Sequence, residues 1–140
     1  SNAGSVALQF VDLDGFKGVN DAEGPRAGDE VLRIVAQRIA STVRAGDTMA
    51  RLGGDEFLVM LDRDVTRDVA DTIGHRIIEA LHQPMDLEGR DIFVGASIGV
   101  AMHPPLEGNI DALMNRADQA MYAAKRAGKG RLHFAEAATS

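Results

Sequence analysis

The sequence predicts an α+β domain, an antiparallel or mixed central sheet with helices packed on it. Three observations predict it. The runs "TMARL" (48–52) and "EFLVML" (56–61) flank Gly53-Gly54-Asp55, a hairpin with glycines where positive φ is needed. Amphipathic helical stripes separate the other strand-like runs. The resulting order, β-α-β-β-α-β-α-β, has two consecutive strands and argues against a doubly wound parallel sheet.

Each element has its own signal. "SVALQFV" at 5–11 is a short apolar run with a β-branched residue near each end, so a buried strand with Asp12 at its C-terminal end. Residues 12–28 are rich in Gly, Asp and Asn, contain Pro25, and read as loop and helix entry. Leu32, Val35, Ala36, Ile39 and Val43 form a helical stripe over 27–44. Val69, Ile73, Ile77 and Leu81 recur every four residues and predict a helix over 66–82. Within 84–102, Leu87-Glu88-Gly89-Arg90 reads as a turn between a short strand and a longer one. Asn109 caps a helix running to about Arg126, with Ile110, Leu113, Met114, Ala117, Met121 and Ala124 inward and Gly128 past its end. "RLHF" at 131–134 reads as a last edge strand.

Composition narrows the function classes. The 140 residues suffice for one domain with one core. The net charge of −6 disfavours long-range attraction to nucleic acid or an anionic membrane. No apolar run approaches the roughly 18 residues of a membrane span. With no secretory signal, a cytoplasmic location is expected. The absence of cysteine excludes disulfides, zinc–thiolate sites and thiol catalysis. Ser1-Asn2-Ala3 reads as an expression-tag scar.

The chemistry concentrates in acids. Asp12 follows a buried strand, Asp14 lies two residues on, and Asp55 and Glu56 sit side by side at the hairpin tip. If strand and hairpin are sheet neighbours, these carboxylates converge, and like charges brought together call for a cation. All-oxygen ligands, with the Leu13 carbonyl as a further one, favour Mg²⁺, Mn²⁺ or Ca²⁺. An EF-hand counted from Asp12 puts Glu23 at the last position, but Phe16 and Lys17 occupy the ligand and glycine positions. Neither a P-loop nor G-x-G-x-x-G is present, so phosphate would need donors such as Lys17, Lys125 and Lys129. Acids after strands and at turns are commonly just solvated, and lysines at a helix C-terminus simply complement its dipole.

Taken together, "VDLDGFKGVND", "GD", "ARLGGDEFLVML", "ASIGVAM" and "ADQAMYAAKRAGKG" resemble, in order and spacing, the GGDEF domain of bacterial diguanylate cyclases. The likeness runs from Val6 to about Phe134, and a domain over 4–136 is expected. The resemblance implies a fold like the palm of nucleotidyl cyclases and polymerases. It implies condensation of two GTP into cyclic di-GMP with loss of pyrophosphate, two Mg²⁺ or Mn²⁺ ions per site, and a homodimer whose domains face each other. By position it makes Asp12, Leu13 and Asp55 metal ligands and Glu56 a supporting acid. The base that takes the hydroxyl proton stays open between Asp55 and a metal-bound hydroxide. Lys125, Lys129, Lys17, Gly53 and Gly54 fall on the substrate side, and Asn20 and Asp29 match the guanine-reading pair. Arg44 and Asp47, in "RAGD", fall where many members carry an R-x-x-D product-inhibition motif.

The chain departs from the family pattern at three places. Pro25 replaces the histidine usual before the G-D, Gly130 replaces an asparagine, and the usual helix upstream of the D-x-D has no counterpart. "HQPMDLEGRDIFVGASIGVAMHP" resembles wording found where a cyclic di-GMP phosphodiesterase (EAL) domain follows. In such tandem proteins the domain is sometimes a regulator that binds GTP or cyclic di-GMP without turnover.

Overall fold

A computed structural model describes residues 5–103 and 109–136; the expected scar at 1–3 lies outside the described residues. Side chains of the central strand β1 (Val6–Asp14) face two cores in turn, and Ala7 to Val11 are all buried. Ala7, Val11 and Leu13 point into one core, and Leu8 and Phe10 into another. β1 is flanked on both sides, which is why it reads as an almost unbroken apolar run. It outlasts the strand expected from sequence: Asp12, Leu13 and Asp14 belong to it, because neighbours on both sides continue the ladder past Val11.

After Gly15 the chain turns into α1 (Phe16–Glu23), eight residues with none buried. Loop and helix entry were expected over this stretch, not a separate helix. Polar composition hid the helix, because α1 lacks an apolar stripe long enough to register. Gly24 alone separates it from α2 (Pro25–Thr42), which begins two residues earlier than the apolar stripe suggested. Pro25 occupies the first turn, where a missing N–H costs nothing and φ is already helical. Val43 lies past the helix end in extended backbone rather than in the stripe.

β2 (Thr48–Gly53) and β3 (Glu56–Asp62) form the expected hairpin. α3 (Arg67–His82) follows, capped by Thr66, whose hydroxyl accepts from Val69 N. The next stretch divides differently from expectation. The turn at Leu87–Arg90 joins two short strands, β4 (Met85–Leu87) and β5 (Arg90–Ile92), in a small ribbon of their own. The longer strand, β6 (Gly95–His103), returns to the main sheet beside β1. α4 (Ile110–Arg126) is capped by Asn109 Oδ1, which accepts from Asp111 N at 2.9 Å. Ile110, expected inward, is 49% exposed, because at the first helical position it precedes the packed turn.

β7 (Leu132–Phe134) closes the sheet in the order β2-β3-β1-β6-β7, antiparallel except for the parallel β6–β7 pair. This is the mixed sheet with packed helices that the sequence predicts. α2 and α3 cover one face, and α4 covers β1 and β6 on the other. α4 lies close because Gly99 has no side chain. A Cβ there would meet the Ala117 carbonyl oxygen and the Met121 amide nitrogen, and would lie 2.8 Å from the Ala120 carbonyl carbon. Arg38 locks α2 to the far end of α3, donating to the Ala80, Gln83 and Pro84 carbonyls at 3.0, 2.7 and 2.8 Å.

Candidate active site

Strand register brings the acids together. Asp12 stands opposite Glu56 on one neighbour and Ser97 on the other. Leu13 N donates to the Asp55 carbonyl at 3.1 Å, tying the hairpin tip to the end of β1. The tip depends on its glycines: φ is 140° at Gly53 and 50° at Gly54, and neither has a neighbouring atom within 4 Å of where a Cβ would stand. Arg51 holds the turn closed, its Nε and Nη2 donating to the Gly54 carbonyl at 3.1 and 2.8 Å. A mainly glycine turn fixed in this way presents Asp55 and Glu56 without side chains in front of them.

Lys125, from the last turn of α4, reaches into this cluster. Its Nζ lies 3.0 Å from Asp12 Oδ2 and 3.3 Å from Asp14 Oδ1. Burial raises the Asp12 carboxyl and Lys125 opposes it, while Asp55 adds to the rise; the result is a pKa pushed up to about 6. Glu56 is raised too, first by burial and then by Asp118 and Asp55. Burial pulls the Lys125 ammonium down, but Asp12 and Asp14 outweigh it and hold it above its ordinary value. One lysine thus serves a carboxylate-rich site that remains short of positive charge.

The residues suit a divalent cation of the hard, oxygen-seeking kind. Asp12 Oδ1 is buried with no hydrogen-bond partner, the signature of an oxygen waiting for a ligand. Among the described residues no three acidic or histidine side chains form a ready-made cage. Few protein ligands leave room for phosphate oxygens and water, as Mg²⁺ prefers. Asp14 behaves differently from Asp12. Both its oxygens already accept hydrogen bonds, from Ser97 Oγ, Lys125 Nζ and Gly130 N. Sequence reading grouped Asp14 with the cation cluster and missed Ser97 and Gly130. The two-residue spacing of Asp12 and Asp14, which puts both on one strand face, was the available signal.

The remaining candidates lie on α1, on α2 and in the turn past α4. Asn20 packs its amide against Gly28, whose neighbour Asp29 opens a cavity of about 510 Å³ between α2 and β2. Leu32, Met49, Arg51 and Phe57 also line that cavity, so Arg51 belongs both to it and to the hairpin tip. Lys129 is exposed in a turn of positive φ just past α4. Lys17 stands apart from the acids: it is 88% exposed and pairs with Asp21 on its own helix at 2.7 Å.

Arg44 and Asp47 lie at the opposite end of the hairpin. The Asp47 side chain is 1% exposed and accepts from Arg44 Nε at 3.0 Å, Arg44 N at 2.9 Å and Asp62 N at 3.0 Å. Burial raises the Asp47 carboxyl, and these donors from Arg44 and Asp62 overcome it, leaving the pKa lowered. Arg44 also donates to the Asp62 and Arg63 carbonyls. The pair therefore holds the chain between α2 and β2 against the exit of β3.

An α+β domain with an acidic cluster and a lysine at the end of its central strand is the class that fold and site define. The profile of the family described as "Diguanylate cyclase, GGDEF domain" matches residues 1–131. The chain belongs to the GGDEF domain family. It is 43% identical over 130 residues to the bifunctional diguanylate cyclase/cyclic di-GMP phosphodiesterase MucR of Pseudomonas aeruginosa, covering 93% of this chain and 19% of MucR. The GGDEF domain of TpbB from the same organism superposes with a TM-score of 0.90 at 39% identity, covering 96% of this chain and 84% of that one. The GGDEF domain of DgcB from Caulobacter crescentus, solved in complex with c-di-GMP, gives a TM-score of 0.87 at 32% identity, over 96% of this chain and 80% of that one. The chain spans less than a third of the length of the curated relatives it matches. No helix among the described residues is long and apolar enough to cross a membrane.

Proposed function

We propose that this domain condenses two GTP molecules into cyclic di-GMP, each 3′-hydroxyl attacking the α-phosphorus of the other nucleotide with release of pyrophosphate. The observation that carries the reading is the meeting of Asp12, Asp55 and Lys125 at the end of β1, with Asp12 Oδ1 left without a partner. Asp12, Asp55 and the Leu13 carbonyl would hold Mg²⁺ or Mn²⁺, which when bound would neutralise charge on attacking and leaving oxygens. Glu56 supports the acidic side of the site. Lys125 and Lys129 take the triphosphate, and the bare backbone at Gly53 and Gly54 lets the nucleotide approach the turn. Asn20 and Asp29 read guanine, Asp29 from the lining of the α2–β2 cavity and Asn20 from α1 beside Gly28. A carboxylate accepts guanine's ring N–H and amino protons, which adenine does not offer in that arrangement, so the wrong base leaves Asp29 facing an acceptor. One domain holds one GTP, and two copies face each other for the reaction.

Arg44 and Asp47 form the proposed inhibitory site for cyclic di-GMP, with Arg offering a planar fork to guanine or phosphate. A second reading, a regulatory domain that binds nucleotide without turnover, draws on the bifunctional MucR, of which the match covers only part. Incubation with GTP and Mg²⁺, with cyclic di-GMP and pyrophosphate measured, separates the two readings. Product that disappears in Asp55→Ala supports the cyclase. GTP binding with no product selects the regulator. An inhibition curve unaltered in Arg44→Ala removes the second site.

A further inference from the structure

We propose that Asp14 takes no cation and is instead the positioning residue of the phosphate end, holding both Lys125 and the turn that carries Lys129. The inference rests on the nucleotide-binding reading above. Its first support is the contrast between the two acids of one strand face. Asp12 Oδ1 is buried and unpartnered. Asp14, whose side chain is 11% exposed, has Oδ1 accepting from Ser97 Oγ at 2.9 Å and Lys125 Nζ at 3.3 Å. Its Oδ2 accepts from Ser97 Oγ at 3.0 Å and Gly130 N at 3.0 Å. An acid so supplied with donors is already satisfied, and a cation would have to displace them.

Ser97 is fully buried on β6, so its hydroxyl is a fixed donor that sets the orientation of the Asp14 carboxylate. Gly95 is the strand partner of Asp14, and a Cβ there would make an ordinary contact with it, 3.4 Å from Asp14 Oδ2.

The second support is the turn itself. Gly128, Lys129 and Gly130 have φ of 129°, 65° and 61°. Lysine seldom holds the left-handed region unaided, so the surroundings must impose it. Lys129 N donates to the Ala124 carbonyl at 3.1 Å, and Arg131 Nε donates to the Lys129 carbonyl at 3.1 Å. Those bonds stay within the α4–β7 segment. The Asp14–Gly130 bond joins the turn to β1, the strand that carries Asp12. One carboxylate therefore fixes, relative to the cation site, the Lys125 ammonium directly and the backbone of the turn that carries Lys129. The Gly130 amide serves this bond without the side chain usual there in the family.

Titrations of GMP, GDP and GTP against the full chain in Mg²⁺ test this. The wild type gains affinity from GMP to GTP. Asp14→Asn loses about tenfold in GTP affinity, as expected when charge-assisted bonds to a phosphate-binding group are lost, with GMP affinity unchanged. Ser97→Ala shifts the same way by less. An acid that merely repelled phosphate would give tighter GTP binding in Asp14→Asn, so tighter or unchanged binding overturns the proposal. Equal losses for GMP and GTP overturn it as well, since they report general loosening. Mn²⁺ affinity stays within about twofold in Asp14→Asn, while a loss as large as that in Asp12→Asn assigns Asp14 to the cation and overturns the inference. If Asp14→Asn does not fold, Ser97→Ala decides alone, and unchanged GTP affinity in it is the overturning result. A wild type with no gain from GMP to GTP refutes the nucleotide reading itself, an outcome distinct from each of these.

Discussion

Gly99→Ala tests whether the closeness of α4 to the sheet is what delivers Lys125 to the acids. The obstructing atoms are all helix backbone: the Ala117 carbonyl oxygen, the Met121 amide nitrogen and, at 2.8 Å, the Ala120 carbonyl carbon. No rotamer change can move them. Carbon atoms at rest stand about 3.5–4.0 Å apart, so α4 must retreat from β6 by roughly 0.7 Å or more. Overpacking of this kind costs about 1–3 kcal/mol. For a domain of this size that lowers Tm by on the order of 4–12 °C. The retreat also carries Lys125 away, one turn beyond Met121, and stretches its 3.0 Å and 3.3 Å links to Asp12 and Asp14. Thermal unfolding followed by circular dichroism reads the first effect, and GTP titration the second. An unchanged Tm refutes the packing argument. A lowered Tm with unchanged GTP affinity refutes the claim that helix height sets the site.

Asp47→Asn removes a depressed carboxylate, whose stabilisation is present above the ordinary Asp pKa and disappears as pH falls through the lower folded value. Urea unfolding should show a loss of about 1.5–3 kcal/mol at pH 7 that closes below roughly pH 4, and a pH-independent gap contradicts the assignment. Arg38→Met keeps the apolar stem but drops three bonds to the end of α3, so the urea midpoint should fall by the equivalent of about 1–3 kcal/mol; an unmoved midpoint means those bonds contribute nothing net. If Asp12, pushed up to about 6, is a metal ligand as proposed, metal must displace its proton and Mn²⁺ affinity should fall between pH 7.5 and pH 5.5. A flat Mn²⁺ profile over that range counts against Asp12 as a ligand.

Residues with a clear period were the legible part of the fold. Val35, Ile39, Ile73, Ile77 and Leu81 announce α2 and α3, and the hairpin follows from its two glycines. α1 was not legible, since a helix with no buried residue has no apolar period to read. The short strand β4 and the turn at Leu87–Arg90 were legible, but the separation of β5 from β6 was not, because a strand of three residues is too short for alternation to register. At the site, Asp12, Asp55 and Glu56 stood out through their placement at a strand end and a turn. Ser97 and the Gly130 amide did not, because a serine in an apolar strand and a backbone N–H carry no mark of their partner eighty or more residues away in the chain. That partnership depends on the pairing of β1 with β6 and on where α4 ends, which no local pattern encodes.

The eight residues of α1 bear on a different question, how such a domain changes over generations. None of them is fully buried, and only Phe16 and Val19 pack against the core, so substitutions at the other positions cost it little. Asn20, proposed to read the base, sits on this unburdened segment, whereas Asp12 and Asp14 sit on the central strand, where a slip in register turns every side chain to the wrong face. Under the proposed roles, base reading and the cation end thus rest on positions that the fold constrains unequally.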